Sequence, residues 1–111
     1  MALFIVQLRF TDNERRLRVR PKHREYLASL HAAGKLVTAG PWVDDTGALL
    51  IYNVADEAEL RRLLADDPYT PEDVYEIAEL REWRPLFPLS AAGTSSPPSP
   101  SSGNAPSPAG Q

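Results

Sequence analysis

Apolar and polar residues follow one another along residues 1–87 in a pattern that predicts alternating strands and helices. Ala2 to Phe10 is rich in apolar, β-favouring residues and stops at the polar sequence Thr11-Asp12-Asn13-Glu14, which is typical of a strand followed by a loop. A helix is predicted to begin at Pro21, because proline suits the first helical position, and to end at Gly34. Its apolar face recurs at spacings of three and four through His23, Tyr26, Leu27, Leu30 and Ala33.

The second half of this region repeats the alternation. Three further strands are predicted at Leu36–Ala39, Ala48–Val54 and Val74–Trp83. Asp44-Asp45-Thr46-Gly47 predicts a hairpin turn, and a second helix is predicted between its cap at Asp56 and the pair Asp67-Pro68. The order strand, helix, strand, strand, helix, strand predicts an α+β fold. It is a ferredoxin-like βαββαβ sandwich, in which two helices cover one face of an antiparallel four-stranded sheet.

Both faces of the first and third predicted strands are apolar. Leu3 and Ile5 point away from the side that Phe4, Val6 and Leu8 occupy, and Leu49 and Ile51 repeat this arrangement in the third strand. A sheet that is covered by helices on one face should instead alternate apolar and polar residues. Because one chain supplies helices for one face alone, we expect a homodimer in which two sheet faces pack together.

The composition changes sharply after Phe87. Of the 24 residues from 88 to 111, 20 are Pro, Ser, Ala or Gly, and none is charged or aromatic. Such a segment cannot bury enough apolar surface to offset the entropy lost on ordering. We therefore expect one domain at residues 1–87 and a disordered Pro/Ser/Ala-rich tail at residues 88–111. The alternative is that Pro97-Pro98-Ser99-Pro100 binds a partner, although no basic residue flanks it as such ligands usually need.

Charge and composition narrow the classes of function. The 111 residues include 12 basic and 15 acidic side chains, a net charge of −3, which argues against a nucleic-acid-binding protein. The absence of cysteine excludes a disulfide scaffold, a thiolate metal site and a cysteine nucleophile. No apolar run approaches the ~20 residues of a membrane span, and the N-terminus reads as a strand, not as a signal peptide. We therefore expect a cytoplasmic protein that does not bind membranes.

Two residues of the domain stand out as candidates for chemistry. His23 falls in the apolar face of the first helix, where a histidine is usually a hydrogen-bonded core residue, but it lies at the rim of the core where a cleft could open. Asp67 follows the second helix, and an aspartate before proline commonly forms a turn. If the two side chains met, the carboxylate would hold one tautomer of the imidazole and allow general acid/base catalysis.

Other chemical signals are weaker. There is no glycine-rich phosphate loop, and two histidines with scattered acids do not predict a metal site, so we expect neither a metal nor a cofactor. The basic run from Arg15 to Lys22 is read as a solvated loop and helix start, with one arginine available for an anionic group of a substrate. Gly40, Pro41 and Trp42 could line a pocket, although a tryptophan beside a turn more often serves packing.

Four segments, taken in order, resemble the YciI-like proteins, which contain the YCII-related domain. These segments are Arg20 to Leu27, Gly34 to Pro41, Asp66-Asp67-Pro68-Tyr69 and Arg81-Glu82-Trp83-Arg84-Pro85, within a match over about residues 1–87. The resemblance implies a dimeric α/β barrel and an active site built from the helix histidine and the aspartate of an Asp-Pro-aromatic motif. Here those residues are His23 and Asp67, and the aromatic residue, Tyr69, becomes a further candidate for the pocket. The chain reads Thr70-Pro71 where the family usually has a glycine after this motif.

These observations predict a small enzyme without a cofactor, in which His23 acts as general acid or base and Asp67 orients it. The substrate would be a small metabolite, anionic, cyclic or aromatic, that undergoes isomerisation or elimination. The alternative is a dimeric domain that binds a small molecule without turning it over. A third hypothesis is a structural module that binds a partner through its tail.

Overall fold

The computed structural model describes residues 1–87 and contains six elements in the predicted order. They are β1 at Ala2–Phe10, α1 at Asn13–Ala32, β2 at Leu36–Pro41, β3 at Gly47–Val54, α2 at Glu57–Ala65 and β4 at Tyr75–Trp83. The strands form one antiparallel sheet in the order β2-β3-β1-β4. This is the ferredoxin-like βαββαβ arrangement, so the predicted α+β fold class is confirmed. The predicted tail at residues 88–111 lies outside the described residues.

The first helix begins eight residues earlier than the sequence analysis predicts, at Asn13 instead of Pro21. Asp12 caps the helix, because its Oδ1 accepts the backbone N–H of Arg15 at 3.0 Å. Pro21 therefore lies inside the helix, where it has no N–H to donate to the carbonyl of Leu17. The prediction was wrong because the cap and the helix-favouring residues after it outweigh one missing hydrogen bond. The whole basic run from Arg15 to Lys22 is consequently helix.

The other boundaries agree with the prediction to within two residues. Gly34 follows α1 with a φ of 78°, a left-handed conformation that suits glycine, and its N–H donates to the carbonyl of His31. At the start of α2, the carboxylate of Asp56 accepts the N–H of Glu59 at 2.9 Å, as expected for the predicted cap.

The core lies between one face of the sheet and the two helices. It consists of large apolar side chains from both layers: Phe4, Val6, Leu8, Leu50, Tyr52 and Val54 from β1 and β3, and Leu30, Leu60 and Leu64 from the helices. On the opposite face of the sheet, Leu3, Ile5 and Leu49 are half-buried, and Ile51 pairs across the strands with Ile5. Both faces of β1 and β3 are therefore apolar in the folded domain, and the described helices pack against one of them.

Gly47 lies where β3 passes close to the backbone of β1. A Cβ atom at this position would lie 2.0 Å from the carbonyl oxygen of Leu8, a backbone atom that cannot move without disturbing the sheet. We expect Gly47→Ala to lower the free energy of unfolding by about 3 kcal/mol, the upper end of the usual cost of overpacking, in urea denaturation. Gly40→Ala is the matched control, because no atom lies within 4 Å of a Cβ there, and its effect should stay within about 0.5 kcal/mol. Wild-type stability of Gly47→Ala would contradict this packing.

Candidate functional site

His23 and Asp67 lie 44 residues apart in the sequence and are in direct contact. Nδ1 of the histidine is 2.8 Å from Oδ1 of the aspartate, and the two residues are 8% and 3% exposed. The same carboxylate oxygen accepts the backbone N–H of Tyr69 at 2.9 Å. A carboxylate that accepts from Nδ1 holds the imidazole in the tautomer that carries its proton there, so Nε2 keeps an available lone pair.

A short turn after α2 places Asp67. The N–H of Asp67 donates to the carbonyl of Leu64, and the N–H of Thr70 donates to the carbonyl of Asp67 at 2.9 Å. The hydroxyl of Thr70 also donates to the carbonyl of Leu64. Thr70, which stands where the sequence departs from the pattern of the resembled family, therefore closes the last turn of α2 and fixes the direction in which Asp67 leaves it.

Tyr69 packs directly against the imidazole of His23. The two rings are parallel, with an interplanar angle of 5° and centroids 3.7 Å apart, and Phe10 meets Tyr69 edge-on at 6.4 Å. Burial raises the pKa of the Tyr69 phenol, while hydrogen bonding to Arg16 and the positive charges of Arg16 and Arg20 act in the opposite direction. The imidazole is thus held by a carboxylate at its edge and a phenol ring on its face.

A cavity of about 220 Å³ opens beside His23. Its apolar wall comes mainly from the sheet, through Leu8, Phe10, Ala39, Ala48 and Leu50, together with Leu27 of α1. Gly40, Pro41 and Tyr69, three of the pocket candidates from the sequence, also line it. Asp67 does not line the cavity and so lies behind His23.

Trp42, the fourth pocket candidate, is not among the residues that line the cavity. It lies at the start of the β2–β3 turn, where its N–H donates to the carbonyl of Gly47 at 2.8 Å, and its side chain is 40% exposed. Its ring passes close to Gly47, so it packs on the hairpin instead of lining the cavity. The chain turns at this residue, and Trp42 therefore lies apart from the three candidates that line the cavity.

Sequence analysis offered one arginine of the basic run for an anionic group but did not identify the three arginines that line the cavity, Arg16, Arg20 and Arg24. Their spacing of four residues on α1 places them on one side of the helix, and this spacing is the signal that could have revealed them. It was missed because the basic run was predicted to be a loop as far as Pro21.

Within residues 1–87, no group of three or more His, Asp or Glu side chains is close enough to hold a metal ion. In the same range, neither helix has the length and apolar character needed to cross a membrane.

The fold and the site together define a ferredoxin-like domain with a buried histidine–aspartate pair at the wall of a small cavity. The family model of the YCII-related domain matches residues 2–84, and the chain belongs to this family. It is 36% identical over 85 residues to Protein YciI of Escherichia coli O6:H1, with 67% of this chain and 86% of the relative covered. Protein YciI of Shigella flexneri matches with the same identity and coverage.

Two solved structures illustrate how widely the fold is shared. A 5-chloro-2-hydroxyhydroquinone dehydrochlorinase from Burkholderia phenoliruptrix, in complex with 2,5-dihydroxybenzoquinone, is similar with a TM-score of 0.64 and 24% identity, over 74% of this chain and 93% of that chain. A proposed antibiotic biosynthesis monooxygenase from Bacteriodes thetaiotaomicron has a TM-score of 0.51 and 21% identity, over 78% of this chain and 90% of that chain. At these identities the likeness shows the fold alone.

Tyr26 ties α1 to the end of α2 that leads to Asp67. Its hydroxyl donates to the carbonyl of Leu63 at 2.7 Å. Burial, together with the charges of Asp66 and Asp67, raises the pKa of the phenol from 10.0 to about 12. Because the unfolded chain loses this proton first as the pH rises, the stabilisation is complete below about pH 10 and is lost between about pH 10 and pH 12.

We expect Tyr26→Phe to lower the free energy of unfolding by about 1 kcal/mol near neutral pH, because it removes one hydrogen bond. The variant should also lose less stability than the wild type between about pH 10 and pH 12, as measured by urea denaturation at several pH values. The pKa values of Tyr52, Tyr69 and Tyr75 are raised as well, so both proteins should weaken in base and the difference between their slopes is the result. Identical slopes would contradict the role given to Tyr26.

Proposed function

We propose that this chain is a small, cofactor-free enzyme of the cytoplasm that uses His23 as a general acid or base on a small metabolite. The observation that carries the proposal is the 2.8 Å contact between Nδ1 of His23 and Oδ1 of Asp67, both buried, at the wall of the cavity. General acid/base catalysis needs a titratable ring that is oriented by a second group and lies beside a space for substrate. His23, Asp67 and the cavity beside them support this role, since they provide the ring, the orienting group and the space.

In the proposed reaction, Nε2 of His23 takes a proton from an acidic C–H or O–H of the substrate. Asp67 acts as a positioning residue, because it fixes the tautomer and stabilises the positive charge that the ring gains. If the imidazole returns the proton to a different atom, the result is an isomerisation. If the electron pair left by the proton instead expels a leaving group, the result is an elimination, and the proton is passed on to solvent.

The size and lining of the cavity support a small cyclic or aromatic substrate. Its volume of about 220 Å³ lies below the range of ~300–1,000 Å³ that is usual for drug-sized ligands. Phe10 and Tyr69 offer aromatic surfaces next to aliphatic side chains of the sheet. A dehydrochlorinase with a similar fold, solved with the one-ring ligand 2,5-dihydroxybenzoquinone, agrees with an elimination on such a molecule.

The second candidate function is a dimeric domain that binds a small molecule without changing it. The observation that favours it is the small exposure of His23, since 8% of the residue is exposed, Tyr69 stacks on its ring and Asp67 contacts its Nδ1. A histidine that is fixed in this way suits the wall of a rigid binding site as well as it suits proton transfer.

Deuterium exchange distinguishes the two functions. We expect the wild-type chain to catalyse deuterium incorporation from D₂O into one member of a panel of small cyclic ketones, lactones and quinols, followed by NMR. His23→Gln should slow this exchange by about 10²–10⁴-fold, the usual contribution of a general base, and Asp67→Asn should slow it to a lesser extent. His31→Gln is the matched control, because His31 is exposed and does not line the cavity. Exchange that survives His23→Gln, or tight binding without exchange, would favour the binding domain.

We also propose that the chain forms a homodimer through the face of the sheet that its helices leave open. Leu3, Ile5, Leu49 and Ile51 lie on this face, and Trp83 pairs with Leu3 in the neighbouring strand. Burial of a fully exposed large apolar side chain is worth ~1.5–3 kcal/mol, and each half-buried side chain of this face gains a part of that value in a dimer. The contributions of both copies of the face act together against an association cost of ~4–15 kcal/mol. Leu3, Ile5, Leu49 and Trp83 are half-buried within one chain, which supports a surface that is complete only against a second sheet.

Sedimentation tests the dimer. We expect the wild-type chain to sediment as a dimer at micromolar concentration, and Ile5→Asp to sediment as a monomer, because it would put carboxylates into a dry interface. Val43→Asp is the matched control, since Val43 is fully exposed in the β2–β3 turn and should leave the dimer intact. A folded wild-type monomer at this concentration would contradict the proposed interface.

A further inference from the structure

Arg16 is a buried cation without a carboxylate partner among residues 1–87. The residue is 3% exposed, and none of the ion pairs in this range includes it. Its Nε donates to Oδ1 of Asn13 at 2.7 Å, and its Cζ atom lies 4.0 Å from the centre of the Phe10 ring. These contacts orient the guanidinium but do not neutralise it. A buried charge without a counter-charge raises the free energy of the folded protein. A ligand that supplies the missing negative charge would therefore gain binding free energy at this position.

The surroundings of Arg16 add positive charge instead of compensating it. Arg20 and Arg24 line the same cavity from the next two turns of α1, and neither forms an ion pair within the described residues. Like charges at this spacing repel one another. Asp67, behind the cavity wall, already accepts from His23 and from the N–H of Tyr69. The cavity is therefore cationic, although the net charge of the whole chain is −3.

Arg16 and His23 face one and the same cavity. They are seven residues apart on α1, which corresponds to about two turns and about 10 Å along the helix axis. Tyr69 lies between them, since its ring stacks on the imidazole and the positive charge of Arg16 acts to lower the pKa of its phenol. If Arg16 bound the acidic group of a small molecule, the ring of that molecule would lie beside Phe10 and Tyr69, between Arg16 and His23.

We propose that this cavity takes a monocyclic carboxylate and that Arg16 binds its carboxylate group. A guanidinium offers two parallel N–H donors whose spacing matches the two oxygens of a carboxylate, and the apolar wall accepts the ring. The volume of about 220 Å³ restricts the ligand to a small molecule. The proposal rests on the proposed function for the location of the substrate, but it does not require turnover.

Binding of benzoate to the full chain tests the proposal, with benzamide as the uncharged counterpart, in isothermal titration calorimetry. We expect benzoate to bind at least tenfold more tightly than benzamide. Arg16→Met should weaken benzoate about tenfold to a hundredfold, the range for hydrogen bonds to charged groups, and Arg16→Lys should weaken it less. Arg18→Met is the matched control, because Arg18 is exposed on the same helix and does not line the cavity.

Stability measurements separate a binding role of Arg16 from a structural one. Methionine keeps an apolar contact with Phe10 and removes an uncompensated buried charge, so we expect the unfolding midpoint of Arg16→Met to equal or exceed that of the wild type. If this variant does not fold, Arg16→Lys and the comparison of benzoate with benzamide on the wild type decide the question. Unchanged benzoate affinity in the folded variants, equal binding of both probes, or no benzoate binding at millimolar concentration would overturn the proposal.

The outcomes also distinguish this inference from the proposed function. Benzoate binding that depends on Arg16, in a chain that catalyses no deuterium exchange on any substrate, would keep the carboxylate site and reject the enzyme. Exchange that depends on His23 but is indifferent to the charge of both ligand and Arg16 would keep the enzyme and reject the carboxylate site.

Discussion

The contact between His23 and Asp67 is the interaction on which the geometry of the site depends, and the packing of both helices on the sheet makes it possible. A carboxylate that is 3% exposed is stable in the core only if its oxygens are hydrogen-bonded, and here the imidazole and the N–H of Tyr69 provide those bonds. The N–H of Tyr69 reaches it within the turn after α2, whereas the imidazole reaches it because the sheet holds α1 and the end of α2 at a fixed distance. The antiparallel pairing of β1 with β3 and with β4 therefore sets the geometry of the pair, and a shift of register would leave a charge buried without partners.

Tyr69 shows how one residue of the Asp-Pro-aromatic motif connects the parts of the site. Its backbone N–H binds the carboxylate of Asp67, its ring covers the imidazole of His23, and its phenol lies in the field of Arg16. The proline between the aspartate and this tyrosine restricts the chain to the turn that makes the first contact possible. The motif thus works as a local unit, which explains why a short sequence pattern is enough to indicate the position of Asp67.

Local sequence patterns predicted the fold well. The features that could not be predicted are those that depend on contacts between residues far apart in the sequence. The run of apolar residues after the hairpin turn and the cap at Asp56 determine β3 and α2 within the chain itself, and these elements were predicted almost to the residue. The start of α1 was wrong because two local signals compete there, and the cap at Asp12 outweighs the proline at position 21. That His23 meets Asp67 and that Arg16 is buried depend on how the helices dock, which no periodicity within a single helix specifies.

The features that cost stability are concentrated in one region of this domain. Pro21 has no N–H to donate to the carbonyl of Leu17 in α1, and in a helix interior proline is about 3 kcal/mol less favourable than alanine. The nearby guanidinium of Arg16 has no carboxylate partner within residues 1–87. In the same range, the hydroxyl of Tyr52 has no hydrogen-bond partner. Burial, and to a smaller extent the charge of Asp67, raises the pKa of this hydroxyl. By contrast, α2 follows the local rules, with Asp56 as its cap. Sequences break such rules mainly where a site requires it, so the distribution of these costs agrees with the function that we propose for the cavity beside His23.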